Sequence, residues 1–84
     1  MKTNYEIHDE HGDKTTITLS KWDADVLQTV LPDVHAWVQN KYYRVAEKYP
    51  DRTRREKGDI VRLLASREAE KYPEHQAKLL DMFL

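Results

Sequence analysis

Two periodicities divide the chain. Near its start, Tyr5 and Ile7 alternate with polar residues, and Ile17 and Leu19 do the same inside a Thr-rich run. A period of two marks a half-buried strand. Between the runs, Asp9-Glu10-His11-Gly12-Asp13 is turn material, with Gly12 able to take a positive φ. The pattern predicts a β-hairpin over residues 1–19. A lone hairpin is marginal in water, so its apolar face, Tyr5, Ile7, Ile17 and Leu19, must lie on something helical.

From Ser20 onward the apolar spacing changes to three and four. Ser20 can cap a helix, with Asp23 three residues on, and Trp22, Val26, Leu27, Val30 and Leu31 make the stripe of a short first helix. The prolines sit in a common setting: Leu31-Pro32-Asp33, Tyr49-Pro50-Asp51 and Tyr72-Pro73-Glu74. A residue before Pro is poor in a helix, whereas Pro and an acid both suit a first turn, so these triplets mark helix junctions. A second helix is predicted from about Pro32 to Tyr49, with Val34, Val38, Val45 and Tyr49 on one face, Trp37 and Tyr42 at the margins and Tyr43 outside. A third opens with a Thr53–Glu56 capping box and buries Ile60, Val61, Leu63 and Leu64, its first turn weakened by Gly58. A last short helix from Pro73 aligns Gln76, Leu79, Leu80 and Phe83.

The expected fold class is α+β, an N-terminal two-stranded β-hairpin packed on a bundle of three to four short helices. Residues 1–84 form one domain, with 1–19 as hairpin and 20–84 as the helical part. The expected core is Leu19, Trp22, Val26, Leu27, Val30, Val34, Val38, Val45, Ile60, Leu63 and Leu64. Eighty-four residues are too few to divide into two units that each bury a core.

Composition narrows the class of function. The chain has no cysteine, which excludes disulfides and thiolate metal sites and fits a reducing compartment, so the cytoplasm is the expected location. The N-terminus lacks the apolar core of a signal peptide, and no apolar stretch approaches a membrane span. Charge is near zero overall but unevenly placed: residues 1–40 carry three Lys against seven acids, and residues 41–84 carry eleven Lys or Arg against eight acids. Such polarity aligns a partner, orders two copies head to tail, or lets the halves attract within one monomer.

Catalytic chemistry finds little to work with. Ser20 and Ser66 read as a cap and a mid-helix residue rather than nucleophiles, and Gly12 and Gly58 are too far apart for a phosphate-cradling loop. Carboxylate pairs such as Asp23 and Asp25, or Glu68 and Glu70, are two residues apart on helices and do not face one another. His8-Asp9-Glu10-His11-Gly12-Asp13 gathers potential metal ligands, but a polar, acid-rich tip is also what a solvated turn looks like, and the spacing carries no metal signature. We expect no enzyme, no cofactor and no metal site.

Two clusters stand out as binding candidates. Arg52-Thr53-Arg54-Arg55-Glu56-Lys57 places four cations against one acid in six residues at a helix start, where a bound anion would meet both arginine forks and free backbone N–H groups. Its neutral alternative is a solvated loop balanced by Glu47, Asp51, Glu56 and Asp59. The other cluster is an exposed aromatic face of Trp37, Tyr42 and Tyr43 with Arg44 beside it, the residue types that dominate interface energetics.

The leading expectation is a small non-catalytic protein-binding module, an accessory, inhibitor or adaptor that docks on a larger assembly. The alternative is a nucleic-acid-binding regulator. Lys14-Thr15-Thr16-Ile17-Thr18-Leu19-Ser20 followed by a helix, and later Lys57-Gly58-Asp59-Ile60-Val61-Arg62, loosely resembles a ribbon-helix-helix repressor. That resemblance implies a strand in the major groove and a later helix start on phosphate, adding Arg62 to the basic candidates. The chain departs from that pattern in its long strand-to-helix gap, its additional strand around Tyr5–His8 and its lack of net positive charge. A homodimer is compatible with either function.

Overall fold

The computed structural model describes residues 2–83, so Met1 and Leu84, the two ends of the expected domain, lie outside the described residues. Strands β1 (Lys2–His8) and β2 (Lys14–Ser20) are followed by helices α1 (Lys21–Val30), α2 (Val34–Lys48), α3 (Arg54–Ala69) and α4 (Pro73–Phe83). This is the expected α+β arrangement, an antiparallel hairpin and then helices over well over half of the chain.

The hairpin pairs Tyr5 with Ile17 and Ile7 with Thr15, and Gly12 in the turn has φ +84°. Because side chains alternate, this register sends Tyr5, Ile7, Ile17 and Leu19 to one face, and all four are buried. The outer edge of β1 is covered from α2. Gln39 accepts from the His8 N–H at 2.9 Å and donates to the His8 carbonyl at 2.7 Å, while the His35 ring bonds the Glu6 carbonyl.

Capping residues set the helix limits as their chemistry requires. The Ser20 hydroxyl accepts from the Asp23 N–H at 3.1 Å, and the Asp33 carboxylate from the Ala36 N–H at 3.0 Å. Asp33 therefore stands just outside α2 as its cap, and the helix begins at Val34 rather than Pro32. Thr53 and Glu56 form the reciprocal capping box of α3.

Packing overturns part of the expected core. Leu19, Val26, Leu27, Val34, Val38 and Val45 are buried, whereas Trp22, Val30, Ile60 and Leu64 are only half-buried and Leu63 is 70% exposed. The cause is the choice of face on α3. That helix turns Gly58, Val61, Ala65 and Ala69 inward, a row of small residues that brings its backbone close to the sheet. A Cβ at Gly58 would lie 3.3 Å from Ile17 Cδ1, tighter than ordinary contact, so the glycine permits the approach. With Val61 inward, Leu63 sits about 200° around the helix and faces solvent.

Truncation should separate the two kinds of leucine. Leu27→Ala removes fully buried volume and should destabilise by about 2–5 kcal/mol, whereas Leu63→Ala should stay within about 0.5 kcal/mol, both read from chemical denaturation.

Candidate functional site

The basic cluster meets its counter-charges inside the molecule. Asp9, only 2% exposed, is the centre of the contact. One carboxylate oxygen accepts the backbone N–H groups of His11 and Asp13, each at 2.9 Å, which folds the hairpin turn around it. The other oxygen accepts from the Arg54 guanidinium at 2.8 Å. Beside it, the Lys57 ammonium donates to Glu10 at 2.6 Å, and that lysine side chain is only 7% exposed. The turn singled out for its potential metal ligands thus uses its acids on its own backbone and on the start of α3.

The remaining candidates of that cluster divide clearly. Arg52 pairs with Glu56 at 3.0 Å, one turn along the chain, and Arg62 pairs with Asp59. Arg55 has no carboxylate within ion-pair distance among the described residues. Four of the five cations, Arg52, Arg54, Lys57 and Arg62, are therefore matched by acids of the same chain. Two of those acids, Asp9 and Glu10, come from the acidic front of the sequence, so part of the charge polarity between its halves is met within one chain.

Protonation follows the same contacts. Burial alone would raise the pKa of Asp9, but the Asp13 and His11 amides and Arg54 outweigh it and hold the carboxyl below its ordinary value. Glu10 is lowered chiefly by its hydrogen bond from Lys57. Glu56 is lowered by the Thr53 backbone amide and then by Arg52.

The aromatic candidates do not form one surface. Tyr42 is a correction: it is fully buried in the core, with a hydroxyl that has no hydrogen-bond partner, and burial followed by the nearby Glu10 and Asp9 carboxylates raises its pKa. It is buried because it follows Val38 by four residues and precedes Val45 by three, which places it on the inner face of α2. Trp37 is half-buried against the core, with the Lys41 ammonium 5.4 Å from its ring centroid. Tyr43 is 45% exposed and Arg44 is exposed, with Tyr43 on a different side of α2 from Trp37.

An apolar surface that sequence patterning assigned to packing lies elsewhere. No residue of α4 is fully buried, and Leu80, Met82 and Phe83 are 53%, 77% and 70% exposed. The Phe83 ring stands 6.4 Å from that of Trp22 at the start of α1. Together with Ser20, Lys21 and Asp25 these rings wall a groove of about 420 Å³, within the size range of ligand and anchor pockets. The sequence signal was present in the Leu79, Leu80, Phe83 stripe, but spacing alone does not say whether a stripe is covered.

No known protein family, curated protein or solved structure matches the chain, and no three His, Asp or Glu residues among the described ones are placed so that they could hold a metal ion.

Two consequences can be measured. Asp9, Glu10 and Glu56 have lowered pKa values in the folded state, so they add stability above their ordinary values of 3.8 and 4.5 and lose it as pH falls through the lowered ones. Stability should therefore fall in acid below pH 4.5, and Asp9→Asn should make that fall shallower. Tyr42→Phe removes a buried hydroxyl without a partner and should raise stability, by up to about 1–3 kcal/mol in denaturant titrations.

Proposed function

We propose that this chain is a non-catalytic protein-binding module that docks through the apolar surface shared by α1 and α4. The observation that carries the reading is the groove between Trp22 and Phe83, at the end of a helix that has no fully buried residue and also exposes Leu80 and Met82. Exposed apolar side chains grouped in this way mark interaction sites, and large aromatics in a concave setting are what anchor protein interfaces. Lys21 and Asp25, paired at 2.9 Å, give the groove the polar rim that accompanies such anchors.

The nucleic-acid reading draws less support. All but Arg55 of the cations that would grip phosphate there already hold Asp9, Glu10, Glu56 or Asp59, and freeing them would leave buried Lys57 unpaired and buried Asp9 without its cation. No described helix is long and apolar enough to cross a membrane, which together with the absence of cysteine suits a role in the cytoplasm.

The experiment is capture of partners from extract with and without nuclease treatment by the wild-type chain and by Phe83→Asp, a change at an exposed position that should leave the melting temperature unaltered. The expected result is a defined protein held by the wild type and lost from the variant. Undiminished capture by the variant, or recovery that disappears with nuclease, would remove the basis for this reading.

A further inference from the structure

Among the described residues, four cations without an ion pair, Lys41, Arg44, Lys48 and Arg67, lie away from the sequence cluster at the start of α3. On α2, Trp37, Lys41, Arg44 and Lys48 follow at intervals of four, three and four, so they form one row along the helix. On α3 and just past its end, Leu64, Arg67 and Lys71 follow at three and four and form a second row. The two rows meet in a depression of about 170 Å³ lined by Trp37, Lys41, Leu64, Arg67, Glu68 and Lys71. Further along α2, Arg44 and Lys48 flank Glu47 at another hollow.

Lys41, Arg67 and Lys71 thus stand with Glu68 at the seam, Arg44 and Lys48 stand with Glu47 farther along the α2 row, and the acids do little to neutralise them. Lys71 pairs with Glu68 at 3.2 Å, but Lys41, Arg44, Lys48 and Arg67 have no carboxylate within ion-pair distance among the described residues. Lys41 and Lys48 instead lie over aromatic rings, 5.4 Å from the centroid of Trp37 and 5.6 Å from that of Tyr49. Between the rows, Trp37 and Leu64 are half-buried, so an apolar strip lies between charged margins.

We infer that the α2–α3 seam binds an acidic, amphipathic segment of a partner protein. Apolar side chains of that segment cover Trp37 and Leu64, while its carboxylates meet Lys41, Arg44, Lys48 and Arg67 at the margins. Charge complementarity selects the acid, because none of those cations has a carboxylate within ion-pair distance among the described residues. The apolar strip selects a polypeptide over a phosphate backbone, since a bare polyanion would leave it uncovered, and an overall charge of −1 gives nucleic acid no long-range attraction. The inference rests on the protein-binding reading but concerns a different surface from the Trp22–Phe83 groove.

The test is fluorescence anisotropy with a labelled helical peptide built of Leu and Glu in amphipathic order. Controls are the same peptide with Lys in place of Glu, and a short DNA duplex. The acidic peptide should bind the wild type, weaken as salt is raised, and lose about tenfold or more in affinity to Lys41→Glu/Arg67→Glu. Arg44→Glu/Arg67→Glu, which changes two exposed residues only, repeats the measurement should the first variant fold poorly. Lys78→Glu, on exposed α4, should bind like the wild type. Absence of peptide binding, equal binding by the charge-reversed variants, or tighter binding of the duplex would overturn the inference. Loss of partner capture by Phe83→Asp with unchanged peptide affinity would leave both readings standing on their separate surfaces. Normal partner capture by both seam variants, together with absent peptide binding, would remove the seam alone.

Discussion

The structure depends on the contact between the hairpin turn and the start of α3. Asp9 and Glu10, adjacent in sequence, reach Arg54 and Lys57, which lie one turn apart on the helix. A two-stranded hairpin cannot hold itself in water, and its buried face supplies only Tyr5, Ile7, Ile17 and Leu19. The ion pairs fix where that face sits on the helices. They do so at the end of the hairpin farthest from its covalent link to α1, so the sheet is secured at both ends. Lys57 is nearly buried and Asp9 fully so, which makes each charge tolerable only while its partner is in place.

Two other features follow from this contact. Bringing the turn onto α3 requires the helix to approach the sheet closely, and Gly58 with the small residues Ala65 and Ala69 allows it. It also places acidic groups beside Tyr42, whose hydroxyl is buried without a partner and is disfavoured further in its ionised form. The surface available for binding is then what remains after these internal demands. Arg52, Arg54 and Lys57 at the start of α3 are engaged, whereas Lys41, Arg44, Lys48 and Arg67 along α2 and α3 have no carboxylate within ion-pair distance among the described residues, and α4 exposes Leu80, Met82 and Phe83.

Local grammar was enough to read the elements. Ser20, Thr53 with Glu56, and the three proline triplets locate helix starts because capping and proline geometry act within a few residues. What could not be read was which face each helix buries once several compete. Ile60, Val61, Leu63 and Leu64 form a broad apolar arc, and spacing does not reveal that the helix rotates to place Gly58 and Ala65 inward. The same limit hid Tyr42 in the core and left Phe83 and Leu80 outside it. The basic cluster and the acidic turn were each visible as unusual sequences, but their partnership spans more than forty residues. Only the folded chain shows that each accounts for the other. Trp37 and Arg44 were legible as interface residue types, whereas their row with Lys41 and Lys48 gains meaning only when Arg67 and Lys71 stand opposite.

The central claim, that the turn and α3 are joined by specific charge pairing, is tested most directly by a double-mutant cycle on Glu10→Gln and Lys57→Met. Unfolding free energies of the wild type, both single variants and the double variant give the coupling between the two side chains. A directly bonded, largely buried pair should show a favourable coupling of about 0.5–3 kcal/mol, with the double variant less damaged than the sum of the singles. Additive effects, with no coupling beyond measurement error, would contradict the account.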